Sequence, residues 1–154
     1  MAMYVLALLM GVVAGSRAML APAAVSWVAY SGALDLNGTW LAFLGHAVTP
    51  WVLTLLALGE FVTDQLPSTP SRTVPVQFVT RLFTGALCGA ALGVAAGSSA
   101  GGAVAGVLGA VAGTFGGRAL RSWLATSFGR DRPAAFTEDA LAVAGALVMM
   151  VALP

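Results

Sequence analysis

The chain has 154 residues, of which 59% are hydrophobic and 8% charged, with a mean hydropathy of +0.92 and a formal net charge of +1. A typical soluble domain carries about 25% charged residues, so this is the composition of an integral membrane protein. Seven arginines without a single lysine give no basic face for nucleic acid, and the lone Cys88 excludes an intramolecular disulfide or a cysteine-cluster metal site.

Five apolar segments follow in chain order, at 3–33, 39–63, 76–97, 100–124 and 134–153, and together they predict an all-α membrane domain over residues 1–154. The first has no positive n-region before it and reads as a retained helix rather than a cleaved signal. With Gly15, Arg17 and Pro22 inside it, it is either one kinked helix or two half-helices forming a re-entrant hairpin. LDLNGT (34–39) is a polar turn. The second segment carries His46 four residues before Pro50, with no second ligand at metal spacing, so an ordinary hydrogen-bonding role is expected. It ends in GEFVTDQLP, where Glu60 and Asp64 stand one helical turn apart and face the same way. DQLPSTPSRTVP (64–75), with its three prolines, is the longest loop.

The third segment opens with Arg81 and then sets Gly85, Gly89, Gly93 and Gly97 at a spacing of four. Each glycine costs a helix in water about 1 kcal/mol relative to alanine. Lipid offers the backbone no competing hydrogen bonds, so such a stripe survives there and admits a second helix at close range. GSSAGG (97–102) is a tight reversal, and Gly101, Ala105, Gly109, Gly113 and Gly117 repeat the spacing in the fourth segment, which predicts a glycine-zipper hairpin of 76–97 and 100–124. Gly11 and Gly15 repeat it in the first. RALRSWLATSFGRDR (118–132) forms a basic amphipathic extension, either a solvated orienting cluster or a contact for anionic lipid. The fifth segment opens with Glu138 and Asp139, for which Thr137 is the expected N-cap. Trp27, Trp40, Trp51 and Trp123 lie near span ends as interface anchors, and Cys88 is a small core residue.

The reversal at 97–102 places loops 64–75 and 118–133 on one side, and their Arg72, Arg118, Arg121, Arg130 and Arg132 assign that side to the cytoplasm by the positive-inside rule. The N-terminus is then inside and the C-terminus outside if all five segments span, and the N-terminus is outside if the first is re-entrant. Glu60, Asp64, Arg81, Glu138 and Asp139 thereby reach one leaflet, with Arg17 nearer mid-bilayer. The simplest pairing sets Arg17 against Glu60 and Arg81 against one of the acidic pairs. Four carboxylates against two arginines leave a surplus that calls for water, a cation or a proton, and oxygen-rich sites suit hard cations such as Mg²⁺, Ca²⁺ or Mn²⁺. Nucleophile-elbow, zincin, P-loop and CxxC patterns are absent from the sequence, so neither enzymatic activity nor a cofactor is expected. The expectation is a multi-pass protein of the bacterial inner membrane that forms homo-oligomers, or docks a membrane partner protein, and moves or binds a small cation or proton through Arg17, Glu60, Asp64, Arg81, Glu138 and Asp139. The alternative is a non-transporting scaffold or accessory subunit whose charges are closed ion pairs and whose glycine stripes dock a partner.

GSRAMLAP, GEFVTDQLP, RLFTG, the glycine-rich hairpin and the Glu138–Asp139 pair, in this order, resemble a bacterial family of small glycine-rich membrane proteins classed as a domain of unknown function. The resemblance covers nearly the whole chain and marks Arg17, Glu60, Asp64, Arg81, Gly85, Glu138 and Asp139 as its matching positions; Gln65 stands where that family often carries lysine. It implies no particular activity. The E-x-x-x-D of Glu60 and Asp64 is also loosely similar to the acidic motifs of small cation exchangers built from inverted repeats.

Overall fold

The computed structural model describes residues 1–64 and 73–152; Gln65, Arg72 and most of the 64–75 loop lie outside the described residues. Among the described residues the chain is helical throughout, without strands: α1 (Ala2–Ser16), α2 (Leu20–Tyr30), a short 3₁₀ helix (Ala42–Gly45), α3 (Thr49–Thr63), α4 (Pro75–Ala95), α5 (Ser99–Phe128) and α6 (Asp131–Ala152). Three stretches, Pro75–Ala95, Ser99–Phe128 and Pro133–Ala152, are long and apolar enough to cross a membrane, the mark of a membrane protein. The outer surface agrees, since Leu55, Phe83, Leu108, Phe115 and Leu147 all point outward.

Among the described residues the five expected segments thus become six α-helices, because the first splits into α1 and α2, while the second keeps one α-helix behind the short 3₁₀ turn. In the first, Pro22 lacks the N–H that would bond to the carbonyl of Ala18, so a continuous helix through 17–22 is excluded and a new one starts just before the proline, where its missing donor costs nothing. Arg17 sits in the break with an extended backbone (φ −139°, ψ 106°). The chain then turns back: Ala21, Ala24, Val25 and Val28 of α2 share one buried cluster with Ala7, Met10 and Ala14 of α1 and with Cys88, Ala91 and Leu92 of α4. The two half-helices form a helical hairpin with Arg17 at its tip. In the second segment only Thr49–Thr63 is α-helical, and Pro50 in its first turn fixes the start. That helix runs antiparallel to α2, with Trp27 Nε1 donating to Thr54 Oγ1 at 3.0 Å and Ala18 and Met19 beside Glu60. Trp27 therefore packs between α2 and α3, edge-on to Trp51, whereas Trp40, Trp51 and Trp123 are exposed. His46 is exposed at the end of the 3₁₀ helix.

At the centre stands α5, capped by Ser98, whose Oγ accepts from Gly101 N at 3.1 Å, and ended by Gly129 in the left-handed region (φ 65°). Two helices press on it, α4 antiparallel and α1 parallel. Gly85, Gly89 and Gly93 of α4 meet Gly102, Gly106 and Ala110, while Gly11 and Gly15 of α1 meet Gly106, Ala110 and Gly113. Gly109 and Gly113 face the backbones of Leu8 and Val12 in α1. The expected register therefore differs. The stripe Gly101, Ala105, Gly109, Gly113, Gly117 does not oppose α4; its Gly109 and Gly113 turn to α1, and Gly102 and Gly106 take its place. A helix with neighbours on two sides needs two small faces, and the sequence supplies both. Gly97 belongs to neither, being exposed in the turn before α5 with φ +81°, and Gly117 lines a groove between α1, α5 and α6. Helix α6 packs on the outside through Ala134, Ala135, Ala142 and Ala146.

Candidate functional site

The break between α1 and α2 exposes backbone groups that no helix satisfies, and charged residues from the other elements converge on it. At the C-terminal end of α1, the Gly15 carbonyl accepts from Arg81 at 2.9 Å and from Thr114 Oγ1 at 3.2 Å. At the start of α2, the two carboxylate oxygens of Glu60 accept from the N–H groups of Ala18 at 2.8 Å and Met19 at 2.9 Å. A cation at a helix C-terminus and an anion at an N-terminus each gain about 0.3–1 kcal/mol from the helix dipoles. The same two groups stand 3.7 Å apart as an ion pair, Arg81 with Glu60. Each half of the broken helix is thus closed by a charge, and the two charges neutralise each other.

Arg17 itself is fully buried and reaches two carboxylates, Asp64 at the end of α3 and Asp139 on α6, one with each terminal nitrogen of its guanidinium. The planar fork of arginine suits this bridging role, which a single-point ammonium would fill less well. The Phe61 ring lies under the guanidinium, 5.3 Å from its carbon to the ring centroid. Asp64 and Asp139 keep 12% and 15% of their side-chain surface exposed, so the carboxylates, not the arginine, form the outward side of the cluster.

All six expected residues lie at this end of the bundle, with the partners exchanged. Arg17 pairs with Asp64 and Asp139 rather than with Glu60, and Glu60 belongs to Arg81 and the α2 amides. Glu60 and Asp64 share a helix face as expected, but one turn of rise separates them along the break. Thr137 is no N-cap: α6 begins at Asp131, and Thr137 Oγ1 donates to the carbonyl of Pro133 at 2.9 Å inside the helix. The acidic pair therefore stands well past the first turn, and its environment is the site rather than the helix dipole. Being adjacent, Glu138 and Asp139 point about 100° apart. Asp139 turns to Arg17, while Glu138, 2% exposed, lines the groove between α1, α5 and α6 together with Ser16.

Three contributors escape a sequence reading. The Gly15 carbonyl and the Ala18 and Met19 amides are backbone groups, invisible until the break is placed. Thr114 is the one hydroxyl of α5 between Ser99 and Ser122, and its single proton is shared between the Gly15 carbonyl and the Ala110 carbonyl at 2.8 Å. Among the described residues no group of three or more His, Cys, Asp and Glu side chains is placed to hold a metal ion. Comparison with protein-family models, with curated proteins and with solved structures finds no match for this chain.

Proposed function

We propose that the chain is a small multi-pass protein of the inner membrane that moves protons through the Arg17–Asp64–Asp139 cluster. The observation that supports it most is the position of Arg17: in the break of a re-entrant hairpin, between carboxylates supplied by two other helices. Discontinuous helices that close on a charged site are a recurring feature of secondary transporters. By the rise of an α-helix, the α1 end of the bundle lies ~22 Å from the cluster and the start of α4 ~9 Å on its other side, distances that support a site within a hydrocarbon layer ~30 Å thick. Two guanidinium groups beside the carboxylates oppose a divalent cation more strongly than a single charge, and a proton, which needs only one carboxylate oxygen and no ligand shell, is the species we assign. Protonation of Asp139 releases one arm of Arg17 and leaves the other on Asp64, and the reverse transfer restores the bridge. The parallel packing of α1 on α5 supports an N-terminus on the side opposite Arg81, Arg118 and Arg121, a side that the positive-inside rule assigns to the outside. The contacts of α4 and α1 with α5 are a glycine zipper within the chain, and outward apolar faces of α3 and α6 pair protomers.

A second reading has its own support: Arg17 is held on both arms and Arg81 on two groups, as in a closed structural core, and such a core suits a scaffold or accessory subunit. Reconstitution into liposomes enclosing a pH-sensitive dye, with an imposed membrane potential, separates them. Proton influx above that of empty liposomes, reduced at least tenfold in a folded Asp139→Asn variant, is the expected result. Influx no greater than in empty liposomes leaves the scaffold.

A further inference from the structure

We propose that α6 is the moving element of this site, latched to the hairpin by the Arg17–Asp139 pair and swinging away from α1 when that pair is broken. The proposal rests on the proton reading for the species that breaks the pair, but the motion itself is argued from packing.

The core and α6 are packed in different ways. Where α1 and α4 meet α5, a methyl group added at Gly106 would lie 3.0 Å from Gly89 Cα, and one added at Gly15 would lie 2.7 Å from Thr114 N and 2.8 Å from Gly113 Cα. Those helices touch backbone to backbone and have no room to slide. A methyl group at Gly145 of α6 would instead stand 3.7 Å from the Val13 side chain, an ordinary contact that requires nothing to shift. On one side of α6 a groove of about 340 Å³ separates Glu138, Leu141, Gly145 and Met149 from α1 and α5. On the opposite side a shallow groove of about 480 Å³ lies between Phe136, Ala140 and Val143 and Phe61 of α3. Between two open grooves, and seated mainly on Ala134, Ala135, Ala142 and Ala146, with the buried Glu138 on the same face and the flexible Met149 and Met150 packed near its C-terminal end, α6 can shift at small cost. Its junction with α5 is short and contains Gly129, whose φ of 65° suits a hinge.

The Arg17–Asp139 pair ties α6 to the hairpin across this loose interface. Asp64 of α3 shares Arg17, so loss of Asp139 from the bridge leaves the arginine paired and lowers the cost of release. Among the described residues, Arg17 of the hairpin holds Asp139, Glu138 adjoins it on α6, and Glu60 of α3 and Arg81 of α4 form an ion pair of their own. A swing of α6 opens the apolar groove toward Glu138 and carries Asp139 away from Arg17.

Disulfide trapping tests this in the full chain. In a Cys88→Ala background, Val13→Cys with Gly145→Cys places the two thiols across the α1–α6 interface, and their crosslinking under a mild oxidant reports how long α6 rests against α1. The expected results are fast crosslinking with Asp139 intact, at least fivefold slower crosslinking with Asp139→Asn, and recovery with Asp139→Glu, which keeps the charge and guards against a misfolded variant. Equal rates in all three overturn the latch. In liposomes, the crosslinked protein should lose proton influx and regain it on reduction, and influx that persists through the crosslink also overturns it. A rate that responds to Asp139→Asn in a protein moving no protons keeps the latch and refutes the transport reading alone.

Discussion

Gly106 is the position where the packing of the bundle is most open to test. It lies between α1 and α4, and a methyl group there would press into the Gly85 carbonyl, 2.9 Å from the Gly85 carbonyl carbon and 3.0 Å from Gly89 Cα. Those atoms are backbone on a neighbouring helix and cannot rotate aside, so Gly106→Ala must push α4 off α5. Overpacking of a tight interior costs about 1–3 kcal/mol, and separating the helices also weakens the neighbouring contacts of Gly85 and Gly89, so a loss of about 2–3 kcal/mol is expected. Gly116, ten residues further along the same helix, has nothing within 4 Å of an added methyl group. There the change to alanine removes a helix penalty and gains up to about 1 kcal/mol. The two substitutions are chemically identical and should differ by about 3 kcal/mol, roughly a hundredfold in the unfolding equilibrium. Reversible unfolding in detergent micelles, followed by circular dichroism, measures this difference. Equal stabilities, or a more stable Gly106→Ala protein, would refute the claim that close backbone approach holds the bundle together.

Two other expectations follow from the charges. Arg17→Gln leaves Asp64 and Asp139 facing each other without their shared cation and should destabilise the protein by about 3–5 kcal/mol, with part of the loss recovered when Asp139→Asn is added; a double-mutant cycle in detergent with no coupling would mean that the pair contributes nothing. Cysteines introduced singly at positions 2 and 118 of a Cys88→Ala protein should react with an impermeant thiol reagent from opposite sides of the membrane, position 2 from outside; labelling of both from one side contradicts the re-entrant hairpin.

The sequence by itself pointed to a membrane environment and to the charged residues that gather at one end of the bundle. Low charge and long apolar runs suggest a membrane protein whatever the contacts, because so much apolar surface is hard to cover in water, and three helices are long and apolar enough to cross one. Charged residues stranded in such runs must find one another, so Arg17, Glu60, Asp64, Arg81, Glu138 and Asp139 were recognisable as a group before any partner was known. The small-residue spacing was equally legible, being a local repeat. The tertiary structure alone decided which partners meet. Whether residues 3–33 span or turn back depends on what receives the backbone groups freed before Pro22, and those receivers, Glu60, Arg81 and Thr114, come from three other helices. Likewise a glycine stripe states that a neighbour comes close but not which one, and α5 divides its two small faces between α4 and α1. The exchange of arginine partners has the same origin: helix length and register, set by packing along the whole bundle, placed Asp64 and Asp139 beside Arg17 and left Glu60 to Arg81.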